Sequence, residues 1–130
     1  LSLRRQRQMC IRDSTKTGAR MAPLMPKDRV NNVFVYERED DFRIGLEAYY
    51  YGRQGLTDGS MARDFWIFGL MMEKRIDEDF SVFLNFENFS DTRQTRFDSI
   101  YTGSRLNPIF ADIFAPLDGS VINGGVKIRL

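Results

Sequence analysis

At 130 residues and a net charge of +1, the chain has the length of one ordinary domain and no overall field that would draw it to nucleic acid or acidic lipid. It holds no His and a single Cys, Cys10, which removes Ser-His-Asp and Cys-His nucleophile systems, the usual zinc ligand sets and any disulfide within the chain. No apolar run reaches the ~18 residues of a transmembrane helix, yet a membrane β-strand needs only ~9 to 11 alternating residues and passes that test unseen.

Residues 1–14, LSLRRQRQMCIRDS, set Arg4, Arg5, Arg7 and Arg12 against one acid, Asp13, without an apolar stretch or strand alternation, so they do not read as a signal peptide. Two expectations fit them: a disordered basic tail, or translated read-through of a sequencing adapter fused to a gene fragment. The second is preferred because no Met stands at position 1. Without these four Arg and one Asp the net charge falls from +1 to −2, and the run is not read as a nucleic-acid arm. Residues 15–29 hold Gly18, Pro23 and Pro26 without a sustained period and are expected to be a loop.

Five strands are expected beyond it, favoured by eleven Phe, five Tyr and one Trp dispersed among charges. The first, 30–38 (VNNVFVYER), puts Phe34 and Tyr36 on one side and Val33, Val35 and Glu37 on the other; the aromatics are taken to face outward. After an acidic turn at 39–41, residues 42–54 carry Phe42, Ile44, Leu46, Ala48 and Tyr50 on one face against Arg43, Glu47, Tyr49, Tyr51 and Arg53. A loop at 55–63 leads to 64–76, with Trp66, Phe68, Leu70 and Met72 on one face. The opposite face, Phe65, Ile67 and Met71, is apolar enough to be covered as well. A second acidic turn, 77–79, leads to FSVFLNFENF at 80–89, where Phe80, Val82, Leu84 and Phe86 alternate with Ser81, Asn85 and Glu87.

Residues 90–120 are too long for an ordinary hairpin loop, and a short helical turn is expected in NPIFADIFAPLDG before Pro116. The last strand is 121–130 (VINGGVKIRL). Asn123-Gly124 is read inside it rather than as a hairpin turn, because too few residues follow for another arm. The connections alternate short, long, short, very long, the asymmetry of outer-membrane barrels with short periplasmic turns and long outside loops. Five such strands cannot close a barrel, which needs about 8, so a piece of a larger one is expected.

The motifs Glu87-Asn88-Phe89-Ser90-Asp91-Thr92-Arg93 and the Gly-rich end from Asn123 to Leu130 resemble the C-terminal part of TonB-dependent outer-membrane receptors; the strand LEAYYYGRQ is similar to strands there too. The likeness runs from about Pro26 to Leu130, and Leu130 departs from the aromatic residue usual at that end. It implies that 30–130 are the last strands of a 22-stranded antiparallel up-and-down transmembrane β-barrel in a Gram-negative outer membrane. The parent would take up a siderophore, cobalamin or carbohydrate-type ligand. The implied partners are outer-membrane lipid, the upstream strands and plug domain, and a TonB complex reached only through an upstream region; nucleic acid is not among them.

On this reading Arg43, Glu47, Arg53, Asn85, Glu87, Lys127 and Arg129 face the lumen, pairing with one another or with the plug. Arg93, Arg96, Tyr101 and Arg105 are the residues of the long loop placed to meet an anionic chelate. Trp66 with Tyr49, Tyr50 and Tyr51 would form an aromatic girdle at the outer interface. No catalytic residue, cofactor or metal motif is expected, since paired acids such as Asp77 and Asp79 in a tight turn are normally solvated. The alternatives are a passive porin-type barrel and a soluble β-sandwich or lipocalin-like binding module. The sandwich would bury Phe42, Ile44, Trp66, Phe68, Leu84 and Phe86 together between sheets.

Overall fold

The computed structural model describes residues 23–129. The expectation for 1–14, and most of that for 15–29, lie outside these residues. The described chain is all-β: strands β1 (Arg29–Arg38), β2 (Phe42–Tyr51), β3 (Phe65–Arg75), β4 (Phe80–Glu87), β5 (Tyr101–Ser104), β6 (Asn107–Phe110) and β7 (Val121–Ile128). The long strands form one antiparallel sheet in the order β1-β2-β3-β4-β7, and β5 and β6 form a separate two-stranded hairpin. Each strand of the main sheet therefore lies beside its neighbour in sequence, with the β5–β6 hairpin inserted in the connection before the last. This is a meander, without the interleaving of a Greek key.

Register makes the sheet two-sided. Tyr36 stands opposite Ile44, Ile44 opposite Met72, Met72 opposite Leu84, and Leu84 opposite Gly124. One row along, Phe34, Leu46, Leu70, Phe86 and Ile122 are aligned in the same way. Because side chains alternate with a period of two, these rows put the even-numbered residues of all five strands on one face and the odd-numbered ones on the other. A slip of one residue in any pairing would exchange the faces of that strand. Asn32, opposite Ala48, is the polar intruder on the apolar face.

The strand ends differ from expectation by a few residues, each for a local reason. The strand expected to reach position 54 is regular to Tyr51, and its pairing with the segment before β1 continues past that end in the same register, the Gly52 amide bonding to the Asp28 carbonyl at 2.7 Å and Gln54 bridging to Pro26. The one expected to reach 89 stops at Glu87 because Asn88 turns to φ 47°, outside the extended region. In the first acidic turn Asp40 takes φ 58°, the left-handed residue that closes a three-residue hairpin loop. Asn123 and Gly124 lie within β7, with Gly124 opposite Leu84.

The expected helical turn in NPIFADIFAPLDG is corrected. Asn107–Phe110 is a strand paired with Tyr101–Ser104, and the helical turn in this connection is a 3-10 turn at Gln94–Arg96. Pro108 fits a two-stranded ribbon, where a missing ladder donor can face an open edge, and Gly103 opposite it takes φ 88°.

The buried hydrophobic cluster lies at one end of the sheet, and Ala48, opposite Phe68, is buried apart from it. Ala62, Phe65, Phe114 and Ala115 are buried together, with Tyr51, Leu56, Ile67 and Phe97 packed around them. The β4–β7 connection thus returns over the odd-numbered face of β3, which accounts for the apolar second face read in that strand. No comparable cover lies on the even-numbered face among the described residues.

Candidate functional site

Two features have the makings of a functional surface: the bare apolar face, and the loop end of the sheet. The apolar face is graded along the strands. Near the short turns it ends in charge, where Arg38 and Lys74 both pair with Asp41, the former at 3.5 Å. The Lys74 ammonium holds the Asp41 carboxyl below its ordinary range, chiefly through their hydrogen bond. At mid-height it is aliphatic and aromatic. At the loop end it becomes a run of rings: Tyr50 to Trp66 at 5.0 Å, Trp66 to Phe68 at 5.8 Å, Phe68 to Phe89 at 5.8 Å and Phe89 to Phe86 at 5.9 Å. The Tyr50 hydroxyl donates to Asp64 Oδ2 at 3.0 Å, so this ring has an apolar body and a polar tip at the rim. Trp66 remains 42 % exposed and Ile122 63 %.

Of the girdle residues expected from sequence, Trp66 and Tyr50 are on this face, but Tyr49 and Tyr51 are not. Their odd numbers turn them to the other side, where Tyr51 stacks on Phe65 at 5.0 Å and lies under the Arg29 guanidinium at 4.7 Å.

The odd-numbered face carries Arg43, Glu47, Asn85, Glu87 and Lys127, as alternation requires. They do not pair with one another. Arg43 donates to Glu37 at 2.7 Å, Lys127 to Glu73 at 2.9 Å, and Asn123 to Glu87 at 3.2 Å. Ser81 also donates to Glu73, at 3.2 Å. Glu37 lies directly opposite Arg43, Asn123 sits diagonally from Glu87, and Glu73 reaches Lys127 across β4, so these partners are set by strand register and no pattern along a strand marks them. Arg53 and Arg129 lie past the ends of β2 and β7. Glycines here face large neighbours directly across the ladder: Gly45 opposite Met71, Gly69 opposite Glu47, and Gly125 opposite Phe83. A Cβ at Gly125 would sit 3.0 Å from the Phe83 ring, so the ring occupies the space the glycine leaves.

At the loop end, the four residues proposed to meet an anion do not converge. Arg93 and Arg96 both pair with Asp91, the former at 3.2 Å, while Tyr101 and Arg105 belong to the β5–β6 hairpin. Among the described residues no hydrogen bond or ion pair joins the two sets. Gly119 gives Asp91 its place, since a Cβ at 119 would collide with Asp91 Oδ1.

Uncharged amides organise this end. Asn88 Nδ2 donates to the Thr92 carbonyl at 2.8 Å while its Oδ1 accepts from the Thr92 amide at 3.0 Å. Ser120 Oγ donates to the Asn88 carbonyl at 2.8 Å, joining the start of the long connection to its finish. Thr92 Oγ1 donates to the Trp66 carbonyl at 2.7 Å. Gln94, fully buried at 0 % exposure, donates to the Asp112 carbonyl at 2.8 Å and accepts from the amides of Phe114 and Ala115 at 2.9 and 3.3 Å. Gln54, buried too, donates to the Phe114 carbonyl at 3.1 Å. A glutamine in a polar stretch has no pattern that marks it in sequence.

The open hollows of the surface lie at the opposite end, around Asp40, Arg75, Asp77, Glu78 and Arg129, beside the short turns. Charged residues predominate in their lining, which also includes Ile76, Phe80 and Ile128. Among the described residues no group of His, Cys, Asp and Glu is arranged to hold a metal ion. Compared with family models, with curated proteins and with solved structures, the chain finds no match.

Proposed function

We propose that this chain is the C-terminal part of the barrel of a TonB-dependent outer-membrane receptor. The intact parent would carry out energy-coupled uptake of a siderophore, cobalamin or carbohydrate-type ligand across a Gram-negative outer membrane. The observation that carries the reading is the uncovered face: five strands in register expose Phe34, Leu46, Leu84, Ile122 and Val126 together, and nothing among the described residues packs on them. Lipid supplies the missing cover without a second sheet. A ten-residue strand such as β2 is about 34 Å long and, tilted by about 40°, rises about 26 Å, close to the height of an outer-membrane apolar band. The charged rim at Asp41 and the ring-rich rim at Trp66 fit the two edges of such a band.

Among the described residues five strands leave β1 and β7 with unpaired edges and close no barrel, so the reading assigns them to a larger one. The polar odd-numbered face then looks into the lumen and toward a plug, and TonB is reached through an upstream region. The chain is assigned no catalysis and no cofactor. The sandwich alternative loses ground on one point: Phe42, Ile44, Trp66, Phe68, Leu84 and Phe86 share one face of one sheet, and among the described residues no second sheet encloses them. No observation favours a plug-less porin over a receptor.

Trp66 is the sole tryptophan and lies on the face in question, so its fluorescence tests the reading directly. With the chain in phosphatidylcholine vesicles, brominated acyl chains should quench it and aqueous iodide should not. Quenching by iodide alone, with the chain monomeric in detergent-free buffer, would reject the membrane assignment. Recovery of the upstream reading frame then separates receptor from porin, since a plug domain and TonB box belong to the receptor.

A further inference from the structure

The β4–β7 connection has two parts that differ in how they are held. Residues 112–116 are tied at Asp112, Phe114, Ala115 and Pro116. The Gln94 amide donates to the Pro116 carbonyl at 2.8 Å, its side chain holds Asp112, Phe114 and Ala115, and Gln54 reaches Phe114 from the far end of β2. Asp112 Oδ2 accepts from the Thr57 amide at 2.7 Å and from its hydroxyl at 2.8 Å, which binds this segment to the β2–β3 loop. Phe114 and Ala115 are buried against Ala62 and Phe65.

The β5–β6 hairpin is held only by itself. Its strands pair with each other and contact no strand of the main sheet. The hydrogen bonds at its base and tip, Ala111 amide to Ile100 carbonyl, Ser99 Oγ to Tyr101 carbonyl and Asn107 amide to Ser104 Oγ, stay within the hairpin and its stem. All eight strand residues are exposed, and Leu106 at the tip is 98 % exposed. Local opening free energy follows buried contacts and shielded hydrogen bonds, and these two neighbours stand at opposite ends of that scale.

We propose that the connection is a fixed strap, residues 112–116, carrying a free finger, residues 100–111, with Gln94 and Asp112 locking the strap and the β2–β3 loop into one unit. The finger swings about its stem while the strap stays closed over the odd-numbered face. This goes beyond the receptor reading and stands on hydrogen bonds among Gln54, Thr57, Gln94 and residues 112–116, none of which lies on the even-numbered face of a strand. If the receptor reading holds, the finger is the part of the loop free to reach a ligand, and it carries Tyr101 and Arg105.

Amide hydrogen exchange on the full chain in detergent micelles tests this. Residues 101–110 should exchange at least about a hundredfold faster than the amides of Gln94, Phe114 and Ala115. Gln94→Leu should speed exchange at Phe114, Ala115 and Thr57 by about ten- to hundredfold, the loss expected for a stripped buried hydrogen-bond set, and leave the finger unchanged. Asp112→Ala, which spares the buried glutamine, should speed Thr57 and leave the finger unchanged even where the Gln94 variant unfolds. A finger as protected as the strap would overturn the division, and an unchanged Thr57 in Asp112→Ala would overturn the coupling. Neither result bears on Trp66 quenching, so this inference and the membrane reading fail separately.

Discussion

Asn88 replaces a missing strand pair with one side chain. Its amide group offers a donor and an acceptor to the carbonyl and amide of Thr92, the pattern a backbone neighbour would offer, and its own backbone turns to φ 47°. Asparagine suits both demands, because it tolerates the left-handed region and bonds locally. Alanine would strand the Thr92 amide and carbonyl and also bear the backbone strain. Asn88→Ala is therefore expected to destabilise the chain by about 1–3 kcal/mol, with the loop residues beyond it more open to protease. Asn88→Asp keeps the acceptor but turns a carboxylate oxygen toward the Thr92 carbonyl, so it should lose nearly as much. Asn88→Gly restores the backbone freedom and should be no worse than alanine. Denaturant unfolding followed by Trp66 fluorescence measures all three, since the Trp66 carbonyl lies one hydrogen bond from Thr92.

Among elements, the β1–β2 hairpin is joined to β3 through Asp41. Its carboxylate binds Lys74 and Arg38, and its carbonyl accepts from the Arg75 amide at 2.7 Å. The carboxyl titrates below its ordinary value, so its contribution to stability is complete above the unfolded value of about 3.9 and is lost as pH falls through the lower folded value. Acidification below about pH 4 should speed exchange of the Arg75 amide. Asp41→Asn should show the fast exchange already at neutral pH and little further change with acid. An amide exchange profile of Arg75 against pH, corrected for intrinsic rates, separates the two.

The same scale shows what was legible beforehand. The five long strands and their two faces could be read because every even position from Ile44 to Tyr50, or from Trp66 to Met72, is apolar or small. The β5–β6 hairpin could not, because YTGS and NPIF bury nothing and so show no alternation. Charge drew attention to Arg93, Arg96 and Arg105, whereas the loop is held by Asn88 through Thr92 close by, and by Gln94 and Gln54, whose partners lie far along the chain, such as Phe114 for both. Such pairings have no local signal.

For the whole molecule, the question is what lies against the even-numbered face. Leu70 is the middle residue of β3, opposite Leu46 on one side and Phe86 on the other, at the centre of that face. If the face meets lipid, an arginine there sits near the middle of the apolar band and costs about 2–4 kcal/mol. If it meets water, the same change is a surface substitution worth within about 0.5 kcal/mol. Asn85→Arg is the matched control: it lies on β4 at nearly the same height, opposite Met71, but on the odd-numbered face. That site tolerates charge in either case, because Arg43, Glu73 and Lys127 already share its side. Urea unfolding in phosphatidylcholine vesicles, read by Trp66 emission, should therefore give a large loss for Leu70→Arg and a small one for Asn85→Arg. The difference should shrink in micelles, whose thinner and more yielding interior lets an arginine reach water. Equal small losses for both variants in vesicles would mean that the face is wetted, and the barrel assignment would fall with it.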